Sequence, residues 1–225
     1  MSPRARSLSS RRLLGLLVAL AVAVAVWWFA GRSTGAGQQG AEPLPVDPSV
    51  AVSTLDGLAV AEEDTGFHYD RDQWPHWAGQ GNSCNTREVA LQRQGTDVVT
   101  DDECRAVSGT WVSSYDGVVI HDAGEADLDH LVPLAEAARS GTRTWTREQR
   151  QAFANDLDQL VVVSARSNRQ KGDQDPANWL PDQNRCTYAI RWVLTKDKYD
   201  LTVDPDERDA LRGVLTHCPR TQPSA

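Results

Sequence analysis

Residues 127–134 read DLDHLVPL: two carboxylates and an imidazole in an otherwise apolar stretch that closes on Pro133. Such a stretch favours an extended strand, and proline ends it because it cannot donate to a ladder. A strand made only for a core would not carry Asp127, Asp129 and His130 together, since a buried charge without a partner is costly. Partners must come from elsewhere in the chain. Successive side chains on a regular strand point to opposite faces, so Asp129 and His130 share one site only where the strand twists or ends.

The flanking sequence predicts the surroundings of that strand. Residues 67–82 are aromatic-rich and broken by Pro and Gly, which reads as an irregular packed segment. Residues 84–95 predict a short helix ending at Gly95, and TDVVT (96–100) and 109–124 predict short strands with Gly turns. Residues 134–140 make a helical turn stopped by Gly141. Residues 144–160 predict a helix with Thr146 as N-cap and Gln149 closing a capping box. QLVVVSA (159–165) is β-branched and apolar, a buried strand, and SNRQKG (167–172) follows it as the opening of a helix or turn. Ala189, Trp192 and Val193 share one helical face, as do Leu211, Val214 and Leu215. Strands in the middle and helices afterwards predict a mixed α+β domain.

The N-terminus belongs to a different class of sequence. Arg4, Arg6, Arg11 and Arg12 precede an uncharged apolar run over residues 13–30 that carries Trp27 and Trp28 near its outer end. The run fits either a membrane anchor with an interfacial aromatic belt or a cleaved signal peptide ending near Ala30. The expected organisation is a signal or anchor over 1–31, a flexible linker over 32–60, one domain over 61–220 and a tail over 221–225. In both readings the domain lies outside the cytoplasm, secreted or tethered to the outer face of the membrane.

The four cysteines all follow that segment. An even number in an exported chain favours two disulfides over a zinc site, and there is no CxxC. Short local loops favour Cys84–Cys104 and Cys186–Cys218. The whole chain carries net charge −8; residues 1–32 hold five Arg and no acid, which leaves 18 basic against 31 acidic residues, or −13. That balance excludes a broadly basic nucleic-acid-binding surface. A polyanionic substrate would have to meet a local basic patch or a metal.

In their order and spacing, DLDHLVPL (127–134), FANDL (153–157) and SNRQKGDQDPANWLP (167–181) resemble the HNH, or ββα-metal, endonucleases. More narrowly, the chain resembles exported HNH nucleases related to the C-terminal domain of GmrSD-type restriction endonucleases. YDRDQWPHW, CNTRE and CTYAIRWVLTKDKYDLTV fit that subfamily, so the resemblance runs from about residue 67 to Cys218. It implies a ββα-metal core of a two-stranded hairpin and helix, elaborated by further helices and two disulfides. It implies hydrolysis of phosphodiester bonds, with DNA favoured and RNA open, leaving 5′-phosphate and 3′-hydroxyl ends. His130 matches the general base, Asp129 and Asn168 the ligands of a divalent metal, and Asn155 the middle Asn whose backbone orients the histidine. Asp127 matches a second acid supporting the site.

The residue chemistry agrees with those roles. A histidine of ordinary pKa is mostly neutral at neutral pH and can accept a proton. A carboxylate and an amide oxygen, with waters completing the shell, suit Mg²⁺, or Mn²⁺, better than zinc. Arg169 and Lys171, at the start of a helix, and Arg87 are expected phosphate contacts. Plainer readings stand beside these. Asp127 could cap a turn, Asn155 could end a helix, Asn168 could be an N-cap, and Arg87 could sit in a structural ion pair. His68, His121 and His217 read as structural, with His76 in WPHW set apart from them. The rival for the whole domain is a non-catalytic, disulfide-stapled extracellular binding module with a vestigial site. No obligate protein partner is implied; the membrane is a partner only if residues 13–30 are retained.

Overall fold

The computed structural model describes residues 44–219. The expected signal or anchor at 13–30, the first part of the linker and the C-terminal tail lie outside the described residues. Among the described residues no helix is long and apolar enough to cross a membrane.

The expected linker over 32–60 ends earlier than its composition suggests. Pro48–Gly57 form helix α1, with Pro48 at its start and the Asp47 side chain accepting from the Ser49 amide. Ala51 and Leu55 are buried in the main core. An N-cap aspartate followed by proline is a strong start signal, and the Pro-rich look of the segment hid it.

The remaining elements confirm a mixed α+β domain with three small sheets, seven α-helices among the described residues and two disulfides. β1 (Gly79–Gly81) and β2 (Cys84–Asn85) form a short hairpin before α2 (Thr86–Gln94). β3 (Thr96–Thr100), β4 (Ala106–Val112) and β5 (Val119–Asp122) form an antiparallel meander. β6 (Ala126–His130) pairs antiparallel with β7 (Leu160–Ser164). Between those two strands lie α3 (Leu134–Arg139) and α4 (Arg147–Ala154); the Thr146–Gln149 capping box opens α4 as expected. α5 (Ala165–Lys171) follows β7 directly, and α6 (Arg185–Lys198) and α7 (Pro205–Leu215) complete the domain.

The cysteines pair as expected. Cys84–Cys104 joins β2 to the β3–β4 turn, and Cys186–Cys218 joins the first turn of α6 to the chain just past α7. Separations of 20 and 32 residues correspond to roughly 3 kcal/mol each from restriction of the unfolded chain.

β7 is buried along its whole length because both of its faces meet apolar partners. Val161 and Val163 belong to the main core with Leu131, Phe153, Ile190, Trp192 and Leu211. Val162, pointing the other way, belongs to a smaller core with Leu91, Trp111 and Ile120. The register pairs Asp127 with Val163 and Asp129 with Val161, so both carboxylates lie on the Val161/Val163 side. His130 pairs with Leu160 and projects from the opposite side. The turn after β4 docks on β7: the Ser114 amide donates to Val162 O at 3.1 Å, and the Ser164 amide to Ser113 Oγ at 2.9 Å. Gly117 closes that turn at φ 73°, where a side chain would be strained.

Candidate active site on the face between β6 and α5

Strand β6 and helix α5 are joined by two rungs. Asn168 Nδ2 donates to Asp127 Oδ2 at 3.0 Å, and Lys171 Nζ donates to Asp129 Oδ2 at 2.7 Å. Residues two apart on a strand share a face, and residues three apart on a helix share one too, so the two spacings can meet. Ser164 caps α5 by accepting from the Ser167 amide. Asn168 is therefore inside the helix rather than its N-cap.

The same boundary corrects the phosphate contacts. Arg169 and Lys171 lie in the last turn of α5, not at its start, so the helix N-terminus does not assist them. Lys171 is 0% exposed and also donates to the His130 carbonyl at 3.0 Å. Its ammonium holds the end of β6 and is not open to a phosphate. Burial lowers its pKa, against the opposing pull of Asp129. Arg87 is likewise occupied. It donates to Ala123 O at 2.9 Å, Ala126 O at 3.1 Å and Glu88 Oε1 at 3.1 Å, tying α2 to the start of β6. Arg169 is exposed and makes no ion pair among the described residues, so it remains available.

Tyr115 adds a second donor to Asp129. Its hydroxyl reaches the same Oδ2 at 2.7 Å, and its ring packs edge-on against Trp179 and Tyr188. Burial and the adjacent Asp129 carboxylate raise the Tyr115 pKa well above its ordinary value, so it stays a donor.

His130 is held from the other side. Its Nε2 lies 2.8 Å from the carbonyl oxygen of Ala154. A carbonyl can only accept, so Nε2 carries the hydrogen and Nδ1 is the nitrogen able to take a proton. The orienting carbonyl is thus that of Ala154, one residue before Asn155. Trp77 stacks on the imidazole with centroids 5.8 Å apart and planes 17° apart, and the histidine keeps 6% exposure. Burial lowers the His130 pKa to about 4, against the Ala154 carbonyl and the Asp129 charge, which favour the proton. The ring is neutral at neutral pH.

Asn155 closes α4 and pins the Trp77 segment. Its Oδ1 accepts from the Ala78 amide at 2.7 Å and Thr86 Oγ1 at 2.8 Å; its Nδ2 donates to Pro75 O and Gln151 O, each at 2.7 Å. His76 packs edge-on against Trp77 at 5.3 Å, and its Nδ1 donates to Trp74 O at 3.0 Å. That leaves His76 Nε2 to accept from Arg71 Nη2 at 3.4 Å. Arg71 is exposed, forms no ion pair among the described residues, and its charge acts on His130. Arg71 and Trp77 lie within YDRDQWPHW, which carried the resemblance without a role for either side chain, and Tyr115 lies in the stretch expected to form strands and turns, so no site role was expected of the three.

The donor set suits a hard divalent cation. Among the described residues no hydrogen bond reaches Oδ1 of Asp127, Asp129 or Asn168; Asn168 is bonded to Asp127, Asp129 is held instead by Lys171 and Tyr115, and all three residues are half-buried. A second carboxylate group, Glu63, Asp175 and Asp204, brings oxygens within 4.8 Å of one another. Its members already have structural work. Glu63 accepts from Arg139, Asp175 caps the turn at 177–178, and Asp204 caps α7.

Comparison with known proteins gives the chain its relatives. Residues 86–214 match the family model of the C-terminal domain of GmrSD restriction endonucleases. An uncharacterized secreted protein of Arthroderma benhamiae is 43% identical over 185 residues, covering 78% of this chain and 91% of that protein. No solved structure matches the chain. The match contains β6, β7 and α5 together with the helices that enclose them, and the chain belongs to the family of GmrSD restriction endonuclease C-terminal domains.

Proposed function

We propose that this chain is an exported, metal-dependent HNH endonuclease that hydrolyses phosphodiester bonds, with DNA as the favoured substrate and RNA as the other. The observation that carries the reading is that one short strand, β6, bears two carboxylates on one side and the imidazole on the other at its end. Asp127 and Asp129 face α5, while His130, at the strand end, presents Nδ1 as its proton-accepting nitrogen. The antiparallel pair β6–β7 followed at once by α5 is the order a ββα-metal core requires.

Asp129 and Asn168 would hold the cation through Oδ1, with Asp127 beside them. A bound Mg²⁺ or Mn²⁺ would neutralise charge growing on the phosphate and the leaving oxygen. His130 Nδ1 takes a proton from the attacking water as its oxygen bonds to phosphorus. The P–O3′ bond breaks, and the 3′ oxygen takes a proton from solvent, leaving 5′-phosphate and 3′-hydroxyl ends. The Ala154 carbonyl steadies the imidazolium that forms, through the Nε2 hydrogen. Arg71 and Arg169 supply the local positive charge that an acidic protein needs beside a polyanion. Two disulfides, a secreted relative and the basic-then-apolar N-terminus support export.

The test is nicking of supercoiled plasmid, and cleavage of RNA, by the disulfide-bonded protein with Mg²⁺ or Mn²⁺. EDTA and His130→Ala are the controls. Cleavage that needs both the metal and His130 supports the reading; a folded protein with no metal-dependent cleavage of either polymer overturns it. The near-complete cover over His130 favours the rival, a binding module with a vestigial site. That module would bind neither cation through Asp129, so metal titration separates the two.

A further inference from the structure

Both donors at Asp129 converge on one oxygen. Tyr115 Oη and Lys171 Nζ each donate to Oδ2 at 2.7 Å, and among the described residues no donor reaches Oδ1. Neither donor is free to swing away. Tyr115 rides on the turn whose neighbours Ser113 and Ser114 bond to β7, and its ring is wedged against Trp179 and Tyr188. Lys171 is fully buried, anchored on the His130 carbonyl at 3.0 Å, and lies 5.9 Å from the Tyr115 ring centre. A carboxylate held this way offers a cation one oxygen, not two.

That difference matters to ion choice. Ca²⁺ takes six to eight oxygens in flexible geometry and readily uses both oxygens of a carboxylate. Mg²⁺ needs a near-ideal octahedron of single oxygens at shorter distance. We propose that Tyr115 and Lys171 are positioning residues that confine Asp129 to one-oxygen coordination through Oδ1, so that the site selects Mg²⁺ or Mn²⁺ over Ca²⁺. The proposal rests on the reading of Asp129 as a metal ligand. It assigns a role to two side chains that would otherwise count as core packing and a buried ion pair.

The experiment is calorimetric titration of the full, disulfide-bonded chain with Mg²⁺, Mn²⁺ and Ca²⁺ separately, for wild type, Tyr115→Phe and Asp129→Asn. Phenylalanine keeps the ring and its packing while releasing Oδ2 from one of its two donors. The expected result is wild-type preference for Mg²⁺ and Mn²⁺ that Asp129→Asn abolishes. In Tyr115→Phe that preference over Ca²⁺ should shrink about tenfold, the scale on which partners of metal ligands act. General loosening of the fold would weaken all three ions alike, so the ratio separates positioning from packing. Melting in EDTA checks that the variant is folded. Lys171→Met should move the ratio in the same direction and gives a second reading. A folded Tyr115→Phe whose ratio stays within about twofold of wild type overturns the proposal. A wild type that binds none of the three ions through Asp129 removes the metal centre itself, and the proposal with it.

Discussion

Glu136 and Glu207 share a single ammonium. Lys196 Nζ lies 2.7 Å from Glu136 Oε1 and 2.8 Å from Glu207 Oε2, with all three side chains buried. Burial raises Glu207 to about 7, only partly countered by Lys196. Burial also pushes Glu136 upward, but Lys196, Ser140 and Arg139 together hold it at about 2.

The sign of the pH dependence follows. Glu207 binds its proton more tightly folded than unfolded, so its contribution is fully present below about pH 4.5 and is lost as pH rises through about 7. Glu136 contributes the opposite slope, lost as pH falls from about 4.5 through about 2. His130, lowered to about 4, also favours the folded state more as pH rises toward its ordinary value, and so masks Glu207 in the wild-type curve. The informative quantity is therefore a difference. Glu207→Gln should gain stability relative to wild type as pH rises from 4.5 to 7, read by urea unfolding at several pH values. A constant difference across that window would contradict the raised pKa.

His130→Ala should lower the cleavage rate by about 10²- to 10⁴-fold, the usual contribution of a general base. Circular dichroism should stay unchanged, because the ring contributes one hydrogen bond and one stacking contact. A variant that cleaves at more than a tenth of the wild-type rate would exclude Nδ1 as the proton acceptor.

Arg71→Ala and Arg87→Ala should behave differently although both remove a cation. Among the described residues the exposed Arg71 guanidinium is tied only loosely, to the His76 ring at 3.4 Å and to Tyr69, so its loss should raise KM for DNA by roughly tenfold with little change in melting temperature. Arg87 donates to two backbone carbonyls and Glu88, so its loss should lower the melting temperature first. Equal effects of both on KM would show that the division between them is wrong.

Asn155→Ala removes four hydrogen bonds and strands the Ala78 amide and the Pro75 carbonyl in part-buried surroundings, while Thr86 Oγ1 keeps Ala78 O and the Gln151 carbonyl keeps the backbone amide of residue 155. The expected loss is roughly 3 kcal/mol of unfolding free energy, with tryptophan fluorescence changed through the freed Trp77 segment. Denaturant titration followed by fluorescence measures both. A loss under about 1 kcal/mol would mean that the segment is held elsewhere.

What the sequence made legible was local. The Thr146 capping box, the buried strand β7 with its run of valines and the pairing of four cysteines each rest on neighbours or short loops, and each stands as read. What stayed hidden depends on contacts between distant segments. The Ala154 carbonyl reaches His130 across 24 positions, Tyr115 reaches Asp129 through a docked turn, and Lys171 disappears beneath both. Its charge read as a phosphate contact because burial of a cation leaves no local mark when its counter-charge lies on a distant strand. Helix α1 was missed for the opposite reason: its start signal was local, but its Pro-rich approach resembled a linker.

β7 has apolar packing on both sides, with Val161 and Val163 facing one interior and Val162 the other. A party wall of this kind cannot be removed from one room alone. Fraying that reaches the wall exposes both rooms at once, so the strand beneath the candidate chemistry should be the last to admit solvent, and its amides should exchange only when the whole unit opens. A protease meeting this protein would find its footholds at the periphery, well before the strand pair that bears Asp129 and His130.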